Sequence, residues 1–149
     1  MRKTLRLKLK LNILFFFILI SQLTFGQNRE LTDEEYNNST AVKINFANSE
    51  TCEEINEWIK TDLDNNTIFL FLQGGIAPIE YVTDKDFENK YGIYFFDFGC
   101  VAPDYKCVIK YNNLVFDYLT EKFGNKWSKK IRKDVIGLKE WKRNKKWKK

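Results

Sequence analysis

Residues 67–73, Thr-Ile-Phe-Leu-Phe-Leu-Gln, are apolar at odd and even positions alike. A short run with no polar face suits a central strand covered on both sides, so the rest of the chain must supply both covers. Gly74-Gly75 ends the run.

A second strand is expected over Ile93–Gly99 (IYFFDFG), with Tyr94, Phe96 and Phe98 on one face and Ile93, Phe95 and Asp97 on the other. Between the two lies a helix from Asp84 to Tyr91, capped by Thr83 and stopped by Gly92, with Phe87 and Tyr91 as its buried stripe. Upstream, Val42, Ile44 and Phe46 alternate with Lys43 and Asn45, the mark of a half-buried strand. Thr51-Cys-Glu-Glu54 fits a capping box for a helix over about residues 52–62, whose inner face carries Cys52, Ile55, Ile59 and Leu63, flanked by Trp58.

Downstream, a turn at Ala102-Pro103-Asp104 leads into Tyr105–Tyr111 (YKCVIKY), which reads as the hairpin partner of 93–99. Leu114, Val115, Tyr118 and Leu119 face inward on a helix over Asn113–Phe123, and Trp127, Ile131, Val135 and Leu138 mark a last amphipathic helix. The order is β-α-β-α-β-β-α-α. It implies one α+β domain over residues 41–138, a four-stranded mixed sheet with a terminal hairpin and helices packed on it.

The 149 residues carry a net charge of +5, and all of that excess lies before Phe15. Residues 1–26 have the form of a secretory signal peptide: a basic start (MRKTLRLKLK), an apolar core Ile13–Ile20 and small residues before a cut after Gly26. The competing reading is an uncleaved membrane anchor. Even Leu11–Phe25 falls short of the roughly 20 residues needed to span a bilayer. Residues 27–40 are polar and acidic, a flexible leader. The expected product is periplasmic or secreted.

Histidine is absent, which excludes Ser-His-Asp and Cys-His machinery and any histidine-ligated metal. Asp62-x-Asp64-x-Asn66 copies the start of a calcium loop, yet Thr67 and Gln73 stand where that loop needs Gly and Glu. Gln73–Pro78 follows a strand but lacks the Gly-Lys-Ser/Thr ending of a phosphate loop. No cofactor, metal site or catalytic residue is assigned. Were the chain an enzyme, Asp97, Tyr94 and Tyr111 would be the nearest carboxylate and tyrosine candidates.

Cys100 and Cys107 flank the expected hairpin turn, and in an exported chain they are expected to form a disulfide. Cys52 is left over on the inner face of the first helix, either a buried thiol or an alternative partner for one of the other two.

Residues 27–124 hold 8 basic and 18 acidic side chains, whereas residues 125–149 hold 12 basic and 2 acidic. The tail 139–149 (KEWKRNKKWKK) interleaves Trp141 and Trp147 with Lys142, Arg143, Lys145 and Lys146. Such a tail folds back on the acidic body, frays into solvent, or meets an anionic surface, and export favours a lipid or cell-surface target over nucleic acid.

The segment from Phe87 to Leu119, opening Phe-Glu-Asn-Lys-Tyr and containing Gly99-Cys-Val-Ala-Pro103, resembles the FEKKY-domain proteins, a group of short exported proteins of Bacteroidota. Asn89 replaces one Lys of the motif, and the similarity extends from about Phe69 to Trp141. The resemblance implies lineage and compartment and brings no activity. The expected function is that of a small exported, disulfide-stabilised binding or structural module.

Overall fold

A computed structural model of the chain describes residues 30–100 and 103–146. In chain order the helices are α1 (Asp33–Asn38), α2 (Thr40–Lys43), α3 (Ile55–Asn65), α4 (Val82–Tyr91), α5 (Tyr105–Phe123) and α6 (Leu138–Lys146). Short 3-10 turns lie at Ile44–Phe46 and Gly124–Lys129. Strands β1 (Ile68–Leu72) and β2 (Ile93–Asp97) pair in parallel, with Ile68 opposite Ile93 and Leu72 opposite Asp97. Helix α4 is the crossover between them, and Gly92 closes it at φ +66°, a left-handed conformation that favours glycine.

The α+β class stands, but the four-stranded mixed sheet does not form: among the described residues the sheet has two parallel strands. Both missing strands are helical. Residues 40–46 turn Thr40, Ala41 and Ile44 inward, a helical spacing, and leave Phe46 exposed. Seven residues fit a period of two and a period of 3.6 almost equally well. The expected hairpin partner 105–111 is the first part of α5, whose buried set Cys107, Val108, Tyr111, Asn112, Val115, Phe116 and Leu119 keeps helical period over 19 residues. Asp104 starts it by accepting the Lys106 N–H at 2.7 Å. The last amphipathic helix also shifts. Trp127, Ile131 and Val135 are buried from a 3-10 turn and an irregular segment that precedes α6, and the buried Leu138 opens α6 itself.

Two strands suffice because the open edge of β1 is occupied by other groups. The Phe69 N–H donates to the Tyr111 phenol oxygen at 3.3 Å, and the Phe71 N–H donates to Asn112 Oδ1 at 3.0 Å. Asn112 Nδ2 returns bonds to the carbonyls of Phe71 and Ile136. Residues 134–136 then cross the end of the strand, with Gln73 N–H to Asp134 O and Ile136 N–H to Phe71 O. An open strand edge buried without partners would leave several orphaned amides, each costing about 1–3 kcal/mol. Side chains of α5 and one crossing peptide do the work of a third strand.

One face of the sheet carries Phe69, Phe71, Tyr94 and Phe96 as an aromatic layer, and Phe71 also meets Phe98 and Tyr111. Tyr36 of α1 lies 6.0 Å from Phe96, so part of the segment expected as a flexible leader is helical and packs on the core. On the other face Phe95 packs against Phe87 of α4.

The cysteine pairing is corrected. The disulfide joins Cys52 to Cys107, with Cα atoms 5.3 Å apart, and Cys100 is free and exposed. Cys107 sits in the first turns of a helix, where no hairpin brings it opposite Cys100. Across a separation of 55 residues the bond restricts the unfolded chain enough to contribute about 4 kcal/mol, against about 2 kcal/mol for the expected short loop. Among the described residues no helix is long and apolar enough to cross a membrane.

Candidate functional site

In parallel β-α-β units, ligands and partners tend to meet the loops at the carboxyl ends of the strands. Here those loops leave Leu72 and Asp97 and run against each other. Asp97 Oδ1 accepts the Gly99 N–H at 2.7 Å. A Cβ at Gly74 would collide with the Gly99 carbonyl and the Asp97 carboxylate, so close backbone approach requires glycine there.

Arg132 holds the first loop in place. Its side chain is 6% exposed. Nε and Nη2 form a bidentate pair with Asp134 at 3.0 and 2.6 Å, while Nη1 donates to Asp84 Oδ2 at 2.8 Å and to the Ile79 carbonyl at 2.7 Å. The rings of Tyr81 and Phe95 lie 4.7 and 5.7 Å from the guanidinium carbon. Asp84 also accepts the Tyr81 N–H at 2.9 Å and so closes the start of α4. The hydrogen bond from Arg132 holds the Asp134 carboxyl below its ordinary value, and Asp134 in turn raises Arg132. Only a planar fork of donors reaches these three acceptors together.

Beneath the first loop, against α4 and the ends of the strands, lies a cleft of about 230 Å³ bordered by Leu72, Tyr81, Glu88, Phe95, Asp97 and Arg132 among others. Three of its carboxylates, Asp84, Glu88 and Asp97, are engaged with the scaffold. Glu88 accepts the Phe95 N–H at 2.9 Å and pairs with Lys85 at 3.0 Å. Above the clamp the loop and the first residue of α4 turn apolar side chains outward: Ile76 is 98% exposed, Ile79 58% and Val82 96%. Cys100 Sγ lies 3.5 Å from the Gly75 carbonyl, beside the same loop.

Asp97, Tyr94 and Tyr111 do not converge. Asp97 borders the cleft, Tyr94 stands on the opposite face of β2 against Phe69, and Tyr111 is buried at the β1 edge. Tyr111 donates to Asp62 Oδ2 at 2.6 Å. Asp62 also accepts the Thr40 N–H and the Thr67 hydroxyl, so the first residue of the calcium-like triplet is an internal acceptor; Asn66 ends α3 in a left-handed conformation.

The tail residues divide. Trp141 is 9% exposed, packed at a tilt against Phe116 and Trp127, and its Nε1 donates to Asp117 at 2.9 Å. Lys145 pairs with Asp117 at 3.0 Å, and Lys142 Nζ donates to the Ser128 carbonyl at 2.6 Å. Arg143 is exposed. Lys146 is the last residue of α6, and Trp147 lies outside the described residues.

The Arg132 clamp is absent from the sequence reading. One signal for it exists: the chain has five arginines among 25 basic residues, and Arg132 stands two positions from Asp134 inside a lysine-rich run. The chain matches no protein-family model, no curated protein and no solved structure.

Proposed function

We propose that this chain is exported by an N-terminal signal peptide, cut after Gly26, and acts as a disulfide-stabilised binding module whose contact element is the loop 74–82. The observation that carries the reading is the pair Ile76 and Val82, almost fully exposed on the loop and on the helix start that follows it, both held by a buried guanidinium. Large aliphatic side chains kept in water on a rigid support mark an interaction site. The partner is a protein with an apolar recess. Glu80 sits inside the crest and the loop carries no lysine, which disfavours an anionic bilayer. Export is supported by the Cys52–Cys107 bond, since disulfides persist in oxidising compartments. The likeness to FEKKY-domain proteins supports the same compartment and adds no activity.

A photo-crosslinking residue at position 76 tests the reading in producing cells, with position 60 on exposed α3 surface as control. A discrete adduct at 76, absent at 60 and lost with Val82→Ser, supports it. Equal background at both positions sinks it. Mass spectrometry of the mature chain checks the start at Gln27.

A second reading keeps contact with anionic lipid through the tail. Lys139 and Arg143 are exposed and share the face of α6 opposite Trp141, the side left open when the indole docks. Salt-sensitive binding of the full chain to anionic vesicles, lost in Lys139→Glu/Arg143→Glu, checks this; binding unchanged by the charge reversal refutes it.

A further inference from the structure

The chain has three cysteines, and the folded protein joins the two that lie farthest apart along it. The probability of closing a loop falls as about the three-halves power of its length. In an unfolded chain the seven-residue separation of Cys100 and Cys107 therefore closes about 20-fold more often than the 55 residues between Cys52 and Cys107. How the long bond is reached is independent of partner binding at the crest and goes beyond that reading.

The turn that presents Cys52 depends on α5. Cys52 has φ +50°, a left-handed conformation that residues with a side chain rarely adopt. Its N–H donates to the Asn48 carbonyl at 2.8 Å, and its own carbonyl accepts Lys110 Nζ of α5 at 2.7 Å. Lys106, one turn earlier on the same helix, donates to the Glu50 carbonyl. These two lysines lie 58 and 56 residues from their acceptors, so the turn is held in shape only after α5 has docked.

Cys107 is presented by that helix as well. Growth of α5 from the Asp104 cap turns Cys107 into the core, where Cys52 stands and the exposed Cys100 does not. The finished bond is enclosed, since Cys52 and Cys107 are each 1% exposed, while Cys100 stays outside beside the Gly75 carbonyl. Thiol–disulfide exchange needs access of a thiolate to a disulfide sulfur, so burial bars the reverse attack.

We propose that Cys100 is the relay thiol of disulfide formation: a Cys100–Cys107 bond closes first in the unfolded chain, and Cys52 then takes Cys107 from it as α5 docks. In the first step an external disulfide, small-molecule or protein-borne, accepts two electrons. The Cys100 thiolate opens it to a mixed disulfide, releasing one external thiolate, and the Cys107 thiolate displaces the other. In the second step the Cys52 thiolate attacks Cys107 Sγ. The Cys52–Cys107 bond forms, the Cys100–Cys107 bond breaks, and Cys100 leaves as a thiolate that takes a proton from water. The exchange involves no net oxidation and leaves Cys100 free in the folded protein.

The test refolds the reduced full chain with equimolar oxidised glutathione, quenches samples with acid, alkylates them and maps the peptides without reduction. In wild type the Cys100–Cys107 peptide should appear first and decline as Cys52–Cys107 grows. Cys52→Ser should keep Cys100–Cys107 as its lasting product. Cys100→Ser should reach the same Cys52–Cys107 bond about tenfold more slowly, because dilute glutathione replaces a tethered thiol of millimolar effective concentration. Should Cys100→Ser aggregate, the order of peptides in the wild-type time course decides. The inference fails if Cys52–Cys107 grows in wild type with no Cys100–Cys107 precursor, if Cys52→Ser leaves Cys100 and Cys107 unpaired, or if Cys100→Ser forms the bond at the wild-type rate.

Discussion

The Tyr111 hydroxyl donates to Asp62 across 2.6 Å while accepting the Phe69 N–H, so one phenol ties α5, α3 and the β1 edge together. Both residues are buried. Burial lifts the Asp62 carboxyl above its ordinary range against hydrogen bonds from Thr40, Tyr111 and Thr67 that lower it, and burial together with the Asp62 charge pushes Tyr111 well above its own. Tyr111→Phe removes the shared hydroxyl and orphans the Phe69 N–H. It should lower unfolding free energy by roughly 2–3 kcal/mol in urea titrations, whereas Asp62→Asn, which keeps an acceptor for Thr40, should cost less.

Two carboxylates give opposite pH signatures. Asp62 titrates above 3.8 when folded, so its contribution is present below 3.8 and lost as pH rises toward the raised value. Asp134 titrates below 3.8 when folded, so its contribution is present above 3.8 and lost as pH falls through the lowered value. Subtracting the Asp62→Asn stability curve from wild type should therefore give a line that falls with pH above about 4. The same subtraction for Asp134→Asn should give one that falls with acid below about 4. Slopes of the other sign would refute the assignments.

A non-reducing peptide map should link Cys52 to Cys107 and leave Cys100 alkylatable before denaturation. Cys52→Ser/Cys107→Ser should lose about 4 kcal/mol of stability, and Cys100→Ser should be neutral within about half of one. A Cys100–Cys107 peptide would contradict the helical start of α5 as well as the pairing.

Trp141 makes α6 part of the folded body. Trp141→Ala empties a site shared with Phe116 and Trp127 and should cost about 3 kcal/mol, a fall in melting temperature on the order of 10 °C. Removing residues 139–149 should cost at least as much. A melting temperature unchanged by either variant would show the indole contacts to be dispensable.

Both strands and α4 were legible in the sequence because each carries a local code. IFLFL is apolar on both faces, IYFFD is a short aromatic-rich run with Tyr94 and Phe96 on one face and Ile93 and Phe95 on the other, and Gly92 stops a helix where the backbone goes left-handed. The Arg132 clamp was not legible, since its bonds to Ile79 and Asp84 span 53 and 48 residues and no local pattern encodes such distances. Residues 40–46 and 105–111 each satisfied a strand pattern over a few positions, and partners far away decided against it. Asp62 takes the Thr40 N–H, and Cys52 takes Cys107. By itself, then, the sequence determined those elements whose hydrogen bonds and buried faces are set by neighbours along the chain. Tertiary structure decided the cysteine pairing, the two-strand limit of the sheet and the place of Trp141, because each depends on a contact whose free energy exists only once distant segments meet.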